Sequence, residues 1–304
     1  MSTGIDPFQL NSIAMFCKAA ELGNFTSAAE AMGVTPAAVS RSIGRLEERL
    51  NVKLFARTTR RVKLTDDGRA YFEQCEQALA QLQEAERIVT GNQSRPSGRL
   101  RVSVPTTYGH HRILPLLPKF MKKFPLIDLD VSISNRNIDF VEEGFDVAIR
   151  MGALDDSRLI AHKLEDAALC VFASPAYLKR APKLRTLADL DAHECIQFIM
   201  PSSGRPIAWS FLEDKGETDI VVKSRIHIQD DVLGGVSLAK AGGGVFQSYR
   251  FIVVRELASG ELVEVLHAHA GRSRPFNILY PQNRHLSSRV RVFVDFVREH
   301  FRGK

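Results

Sequence analysis

Apolar positions along the first hundred residues follow helical spacing. Phe8, Leu10, Ile13, Phe16, Cys17 and Ala20 recur mainly three and four apart, which predicts an amphipathic helix over 8–21 that Gly23 ends. A short second helix is read with Thr26 as its N-cap. Alternatively it starts a residue later, through a Ser27/Glu30 capping box; Gly33 stops it in either case. Thr35 caps a third helix and Pro36 takes its first position, where the missing N–H costs nothing. Val39, Ile43, Leu46 and Leu50 form the buried stripe of that helix, which leaves Ala37, Ser40, Arg41 and Arg45 off it. In 52–64, apolar Val52, Leu54 and Phe55 precede Thr58, Thr59, Arg60 and Arg61, a pattern read as a hairpin with cations at its tip.

Residues 66–91 read as one helix, spanning roughly 39 Å at 1.5 Å per residue. Tyr71, Cys75, Ala78, Leu82, Ala85 and Val89 step alternately by four and three, a heptad seam. A seam this narrow on so long a helix fits pairing with a second copy; the other reading is a surface helix packed on its own domain. Gly91 to Gly98 is a run of structure breakers and marks a domain boundary. Beyond it, strands expected at 100–104, 126–133, 147–151, 168–172, 196–200, 226–228, 245–246 and 276–280 alternate with helices at 111–124, 140–144, 232–241 and 287–301. That alternation predicts an α/β domain with a parallel sheet.

Charge adds a partner to this picture. Between Thr35 and Thr65 eight basic residues face only Glu47 and Glu48, an excess equal to the net +6 of the whole chain. A basic excess concentrated in one short segment is the footprint of a polyanion. Short polar and basic side chains at the start of the third helix suit a major groove, and cations at a hairpin tip suit the flanking phosphates.

These residues resemble a family. Ala28-Ala29-Glu30, Val34 through Arg41, Ile43, Leu46-Glu47, Leu50, Leu54-Phe55, Arg57, Leu64-Thr65 and Gly68 follow in order the winged helix-turn-helix of LysR-type transcriptional regulators. One departure is Pro36, where many members carry a base-contacting Gln. Further strings extend the resemblance through the second half: Leu114-Pro115 to Phe124-Pro125, Asp146 to Gly152, Asp156 to Ala161, and Ala173 to Leu178. They look most like the CrgA-like branch. The resemblance implies an α/β chain with an all-α winged helix-turn-helix at 1–65, a dimerising linker helix at 66–91 and a hinge at 92–98. It implies a periplasmic-binding-protein-like effector domain at 99–304, with lobe I near 99–166 and 275–304 and lobe II near 167–274. The chain would cross between lobes near Glu165–Leu169 and Gly271–Phe276.

Implied partners are double-stranded DNA bearing an interrupted palindrome, a small-molecule effector, further copies of the chain as dimer and tetramer, and RNA polymerase if the protein activates. Thr26, Thr35, Pro36, Ala37, Ser40, Arg41 and Arg45 are the expected groove and near-groove residues, with Arg57, Arg60 and Arg61 on the DNA backbone. Ligands of open α/β sheets sit at strand ends and helix N-termini. On that logic Thr106, Thr107, Ser134, Asn135, Arg150, Met200, Ser202, Asp231, Phe246 and Gln247 are the expected effector contacts, with Asp230 beside them. The hydroxyls and guanidinium suit a carboxylate. Arg150 equally fits an ion pair with Asp155 or Asp156, and the threonines equally fit helix capping.

Other chemistries lack their motifs. No G-x-S-x-G elbow, P-loop or G-x-G-x-x-G string occurs, so neither a hydrolase nor a nucleotide cofactor is expected. His110 and His111 adjoin at a helix start, and His267 and His269 would share a strand face, but neither pair has a third ligand nearby in sequence, so no metal is expected. No apolar run reaches a membrane-spanning length and no secretory leader is evident, so a cytoplasmic protein is expected. Three alternatives stay open: a two-lobed solute-binding protein, an enzyme built on an α/β fold, and a redox-responsive regulator using Cys170 or Cys195, which are otherwise core residues.

Overall fold

The computed structural model describes residues 7–57, 62–89, 95–140, 143–152, 158–214, 216–282 and 286–302. The chain forms two compact units, Met1–Ser94 and Arg95–Lys304.

In the first unit, α1 (Pro7–Leu22), α2 (Phe25–Met32) and α3 (Pro36–Leu50) enclose a small core; β1 (Phe55–Arg57) and β2 (Val62–Leu64) pair as an antiparallel hairpin; and α4 (Asp66–Val89) follows. The cap of α2 is Asn24, whose side chain accepts the Thr26 N–H at 2.7 Å, so neither expected start holds. Asn is among the strongest N-caps and lies just outside the first helical residue. Thr35 caps α3, its hydroxyl accepting the Ala38 N–H at 3.2 Å. Phe16 is wholly buried at the centre, its ring 5.3 Å from Phe55 and 5.5 Å from Tyr71. A Cβ on Gly68 would lie 1.9 Å from the Leu54 carbonyl oxygen, so only glycine lets the first turn of α4 seat against the hairpin base.

The seam of α4 divides in two. Tyr71, Cys75 and Leu79 pack into the core of their own unit, whereas Ala78 and Leu82 are exposed, Leu82 at 46%. The reading of the whole seam as a surface for a second copy is corrected as far as Leu79: Phe16 and its neighbours need a lid, and α4 supplies it. The side chains of Ala85 and Val89 lie outside the described residues.

The second unit contains β3 (Gly98–Val104), a helical run opening with α5 (Thr106–Tyr108) and closing with α6 (Leu117–Lys123), β4 (Ile127–Ile133), β5 (Val147–Met151), β6 (Leu159–Ala173), α7 (Pro175–Arg180), β7 (Ile196–Phe198), β8 (Trp209–Glu213), β9 (Gly216–Ile220), β10 (Ile226–Ile228), α8 (Val232–Lys240), β11 (Phe246–Tyr249), α9 (Val254–Ser259), β12 (Val263–Val265), β13 (Ser273–Pro281) and α10 (Ser288–Phe301). The sheet order β11-β6-β13-β5-β3-β4 is mixed rather than purely parallel. β3 is parallel to β4 and β5, but β13 runs antiparallel to both β5 and β6. The long β6 serves both lobes. Its first part pairs with β13 as far as Ala168, and its last part pairs with β11 and β12. A Cys195–Val245 bridge carries the second lobe's sheet on to β7 and β10.

Three local expectations change. The helix expected from His111 opens at Thr106, directly after Pro105. The helix expected at 140–144 reduces, among the described residues, to one bond from the Glu143 N–H to the Asp139 carbonyl at 3.0 Å. His267 and His269 lie on a 3-10 turn rather than a strand.

Candidate functional site

On the first unit the buried stripe of α3 fixes what its other face presents. Val39, Ile43 and Leu46 are buried, so Thr35, Pro36, Ala37, Arg41 and Arg45 are exposed at its N-terminal end and along its outer side, with Ser40 half-buried. Among the described residues neither Arg41 nor Arg45 has an ion pair. Thr26 is exposed in the first turn of α2. Ser40, Arg41, Gly44 and Glu48 of α3 frame a concave surface with Lys53 and Phe55. Arg57 lies in β1, but its side chain is outside the described residues, as are Arg60 and Arg61 entirely.

The hairpin is held to α3 by Glu47, 2% exposed. Its carboxylate accepts the Leu54 N–H at 2.9 Å, the Phe55 N–H at 3.2 Å and the Lys53 ammonium at 2.9 Å. Burial pushes this carboxyl up, but the Lys53 bond and the two amide bonds outweigh it and leave it below its ordinary value. Lys53 is thereby committed to a carboxylate rather than free, a role its sequence position did not show.

In the second unit, a cavity of about 170 Å³ opens where the lobes meet at the strand ends. Of the expected residues, Thr107, Asn135, Arg150, Met200, Ser202, Phe246 and Gln247 line it. Thr106, Ser134 and Asp231 do not. Thr106 is tied to Asn135, whose Oδ1 accepts the Thr106 N–H and whose Nδ2 donates to the Thr106 hydroxyl, both at 3.1 Å. The Ser134 hydroxyl accepts the Arg136 N–H, and Asp231 caps α8 by accepting the Leu233 N–H at 3.0 Å. Neither threonine caps the helix at 106: its N-cap is Pro105, and Thr107 is buried facing the cavity. Asn135 also donates to the Asp230 carbonyl across the cleft, at 2.5 Å.

Arg150 makes no ion pair among the described residues; Asp155 and Asp156 lie outside them. Its guanidinium donates to the carbonyls of Ile149 (2.7 Å), Arg136 (3.2 Å) and Ser103 (3.3 Å) and to the Ser103 hydroxyl (2.8 Å). Burial, with the nearby charge of Arg136, pushes it down to about 10. Sequence reasoning missed a second cation in the wall, Arg274, which donates to the Ala208 carbonyl at 2.7 Å. Its signal was its place on the second crossing strand. Trp209, Tyr249 and Phe276 were missed as well and supply the apolar wall. Among the described residues the lining has two arginines and no carboxylate.

Gln197 adds a polar handle. Both hydrogens of its amide go to carbonyls, Phe198 at 2.9 Å and Ile207 at 2.8 Å, which fixes the orientation of the group. Its Oε1 is buried without a partner. Gln247, by contrast, is closed on the Ser210 backbone at both ends.

The remaining candidates carry less chemistry. Burial pushes the Cys170 and Cys195 thiols up to about 12, so neither is poised as a peroxide-reactive thiolate. Among the described residues no group of three His, Cys, Asp or Glu side chains can hold a metal, and no helix is long and apolar enough to cross a membrane.

Comparison with known proteins adds the following. Residues 10–69 match the model of the bacterial regulatory helix-turn-helix protein, lysR family, and residues 93–302 match that of the LysR substrate binding domain. An HTH-type transcriptional repressor of Pseudomonas aeruginosa is 37% identical over 294 residues, covering 96% of this chain and 92% of its own. The HTH-type transcriptional regulator CrgA of Neisseria meningitidis is 33% identical over 288 residues, covering 94% of this chain and 95% of its own. The solved structure of CrgA superposes with a TM-score of 0.61 at 31% identity, covering 97% of this chain and 99% of that one. Full-length AphB, a virulence activator of Vibrio cholerae, does so with a TM-score of 0.60 at 26% identity, covering 96% and 99%.

Proposed function

This chain belongs to the LysR family of bacterial helix-turn-helix transcriptional regulators, in its CrgA-like branch, and from that premise we propose how it reads DNA and what controls it. The α3 helix enters the major groove, with Thr35, Pro36, Ala37, Ser40, Arg41 and Arg45 at or near base edges and Thr26 at the groove margin. Arg57, Arg60 and Arg61 hold phosphates beside it. The part of α4 that carries the exposed Ala78 and Leu82 pairs with a second copy, so that two heads address an interrupted palindrome. Contacts between effector domains build a tetramer, and RNA polymerase is the partner if the protein activates. The protein works in the bacterial cytoplasm as a regulator rather than a catalyst.

The effector is a small carboxylate bound between the lobes. The observation that carries this reading is Arg150: a guanidinium buried in the wall of a cavity whose described lining holds no carboxylate. A cavity of about 170 Å³ is close to the ~150 Å³ that encloses benzene, so a single ring or a short aliphatic chain fits. Binding favours the closed lobes, in which Asn135 reaches Asp230, and so shifts the spacing of the DNA-binding heads.

Selection of genomic fragments on the full-length protein, followed by footprinting, tests the DNA half of the reading. A two-site footprint that Arg41→Ala weakens is the expected result. A single-site footprint, or affinity unchanged in Arg41→Ala, would contradict it.

A further inference from the structure

Two arginines line the cleft cavity, and they are anchored to opposite lobes. Arg150, near the end of β5, holds to lobe I through the carbonyls of Ile149, Arg136 and Ser103 and through the Ser103 hydroxyl. Arg274 stands on the crossing strand β13, opposite Ala167 of β6. Its Nη2 donates to the Ala208 carbonyl at 2.7 Å and to the Ser210 hydroxyl at 3.4 Å. The Ser210 backbone is in turn closed on Gln247 of β11, in the second lobe's sheet. Among the described residues neither guanidinium has an ion pair, and no carboxylate lines the cavity. Given a carboxylate effector in the cleft, on which this inference rests, two cations call for two anionic groups. We propose that the effector is a dicarboxylate spanning the cleft, one carboxylate on Arg150 and the other on Arg274, and that the second carboxylate draws the lobes together.

The two cations differ in what they can still donate. Both Nη nitrogens of Arg150 are bonded to protein oxygens, so it offers a fixed charge and its Nε hydrogen. Arg274 uses only Nη2, and among the described residues its Nε and Nη1 hydrogens have no protein acceptor. A guanidinium with free N–H groups is an open carboxylate site. A monoacid neutralises one of the two charges and leaves the other beside the apolar wall of Trp209, Tyr249 and Phe276. A diacid neutralises both, and that wall takes its carbon skeleton.

Closure follows from the anchoring. A ligand shifts a two-state equilibrium only by its difference in affinity for the two states. A monoacid on Arg150 touches lobe I in either state. A diacid gains its second ion pair only when Arg274, held by Ala208 and Ser210, comes within reach. That is the state in which the Asn135 amide meets the Asp230 carbonyl.

Trp209, the single tryptophan of the chain, is buried in the cavity wall and reports occupancy. The test titrates the full-length protein with succinate, glutarate, adipate and the benzenedicarboxylates, each beside its monoamide, and follows Trp209 emission. At least one diacid should bind at least ~10-fold more tightly than its monoamide, the weight of one charged hydrogen-bonded contact. That diacid, and not its monoamide, should slow amide exchange around Asn135 and Asp230. Arg274→Met should erase the difference between diacid and monoamide, and Arg274→Lys, which keeps the charge, should retain most of it. Diacids that bind no better than their monoamides, or a diacid advantage that survives in Arg274→Met, would overturn the proposal. Monoamide binding that still depends on Arg150 would then leave the carboxylate effector standing. A diacid advantage without slowed exchange would overturn the closing role of the second carboxylate. Emission unmoved by every acid in the series would overturn both the dicarboxylate and the carboxylate reading beneath it.

Discussion

Among the described residues, arginines without carboxylate partners occur in both units, under opposite conditions. Arg41 and Arg45 stand exposed on α3, where water and salt screen them and an unpaired charge costs little. Arg150 lies buried, held by backbone carbonyls and pushed down by desolvation. The first arrangement suits a polyanion met through many weak, salt-sensitive contacts. The second suits one small anion whose charge repays a cost already built into the fold. One residue type therefore marks two partners, and the distinction lies in burial rather than in sequence.

The sharpest test of this contrast is Arg150→Met. Truncating one side of a buried, hydrogen-bonded charge pair costs about 2–5 kcal/mol. Carboxylate affinity measured by calorimetry should therefore fall at least ~30-fold, while the apo melting temperature holds or rises. A melting temperature that collapses would make Arg150 structural. Next in size, Arg41→Ala should weaken operator binding by ~1–3 kcal/mol in an anisotropy titration, with little loss on unrelated DNA. Equal losses on both would reduce Arg41 to a phosphate contact.

Glu47 breaks the pattern from the other side, as a buried charge that is fully partnered. Glu47→Gln should destabilise the head by ~1–2 kcal/mol in urea unfolding, because it removes charged acceptors from two amides and Lys53. The carboxyl is depressed in the folded state, so its contribution is complete above the ordinary value of 4.5 and is lost as the pH falls through the lower folded value. The stability gap between wild type and Glu47→Gln should therefore narrow on acidification. Arg45→Ala carries the smallest effect. It should reduce the salt-dependence slope of DNA binding by about one and weaken all sequences alike.

Much of this was legible beforehand because periodicity reports burial. The spacing of Val39, Ile43 and Leu46 already places Arg41 and Arg45 on the open face. Strand ends already point to Arg150, Phe246 and Gln247. What periodicity misses is who shares a core. The heptad reading of α4 treats Tyr71 and Cys75 as a seam, yet Phe16 draws both into the head. The first cap was misplaced because Asn24 and Thr26 are both good capping residues, and only the backbone distinguishes them. Arg274, Trp209 and Tyr249 reach the cavity from segments far apart in sequence, where no local pattern announces a shared wall. Thr106, Ser134 and Asp231 were strand-end and helix-start choices whose side chains turn to neighbouring backbone or side-chain groups.

The central claim is that the cleft is built for an anion. The direct measurement is the melting temperature of the full-length protein across small aromatic and aliphatic carboxylates and their neutral amides, repeated with Arg150→Met. The account predicts that at least one carboxylate raises the wild-type value, that its amide does not, and that the variant loses the shift. Equal stabilisation by acid and amide, or a shift that survives in Arg150→Met, would contradict it.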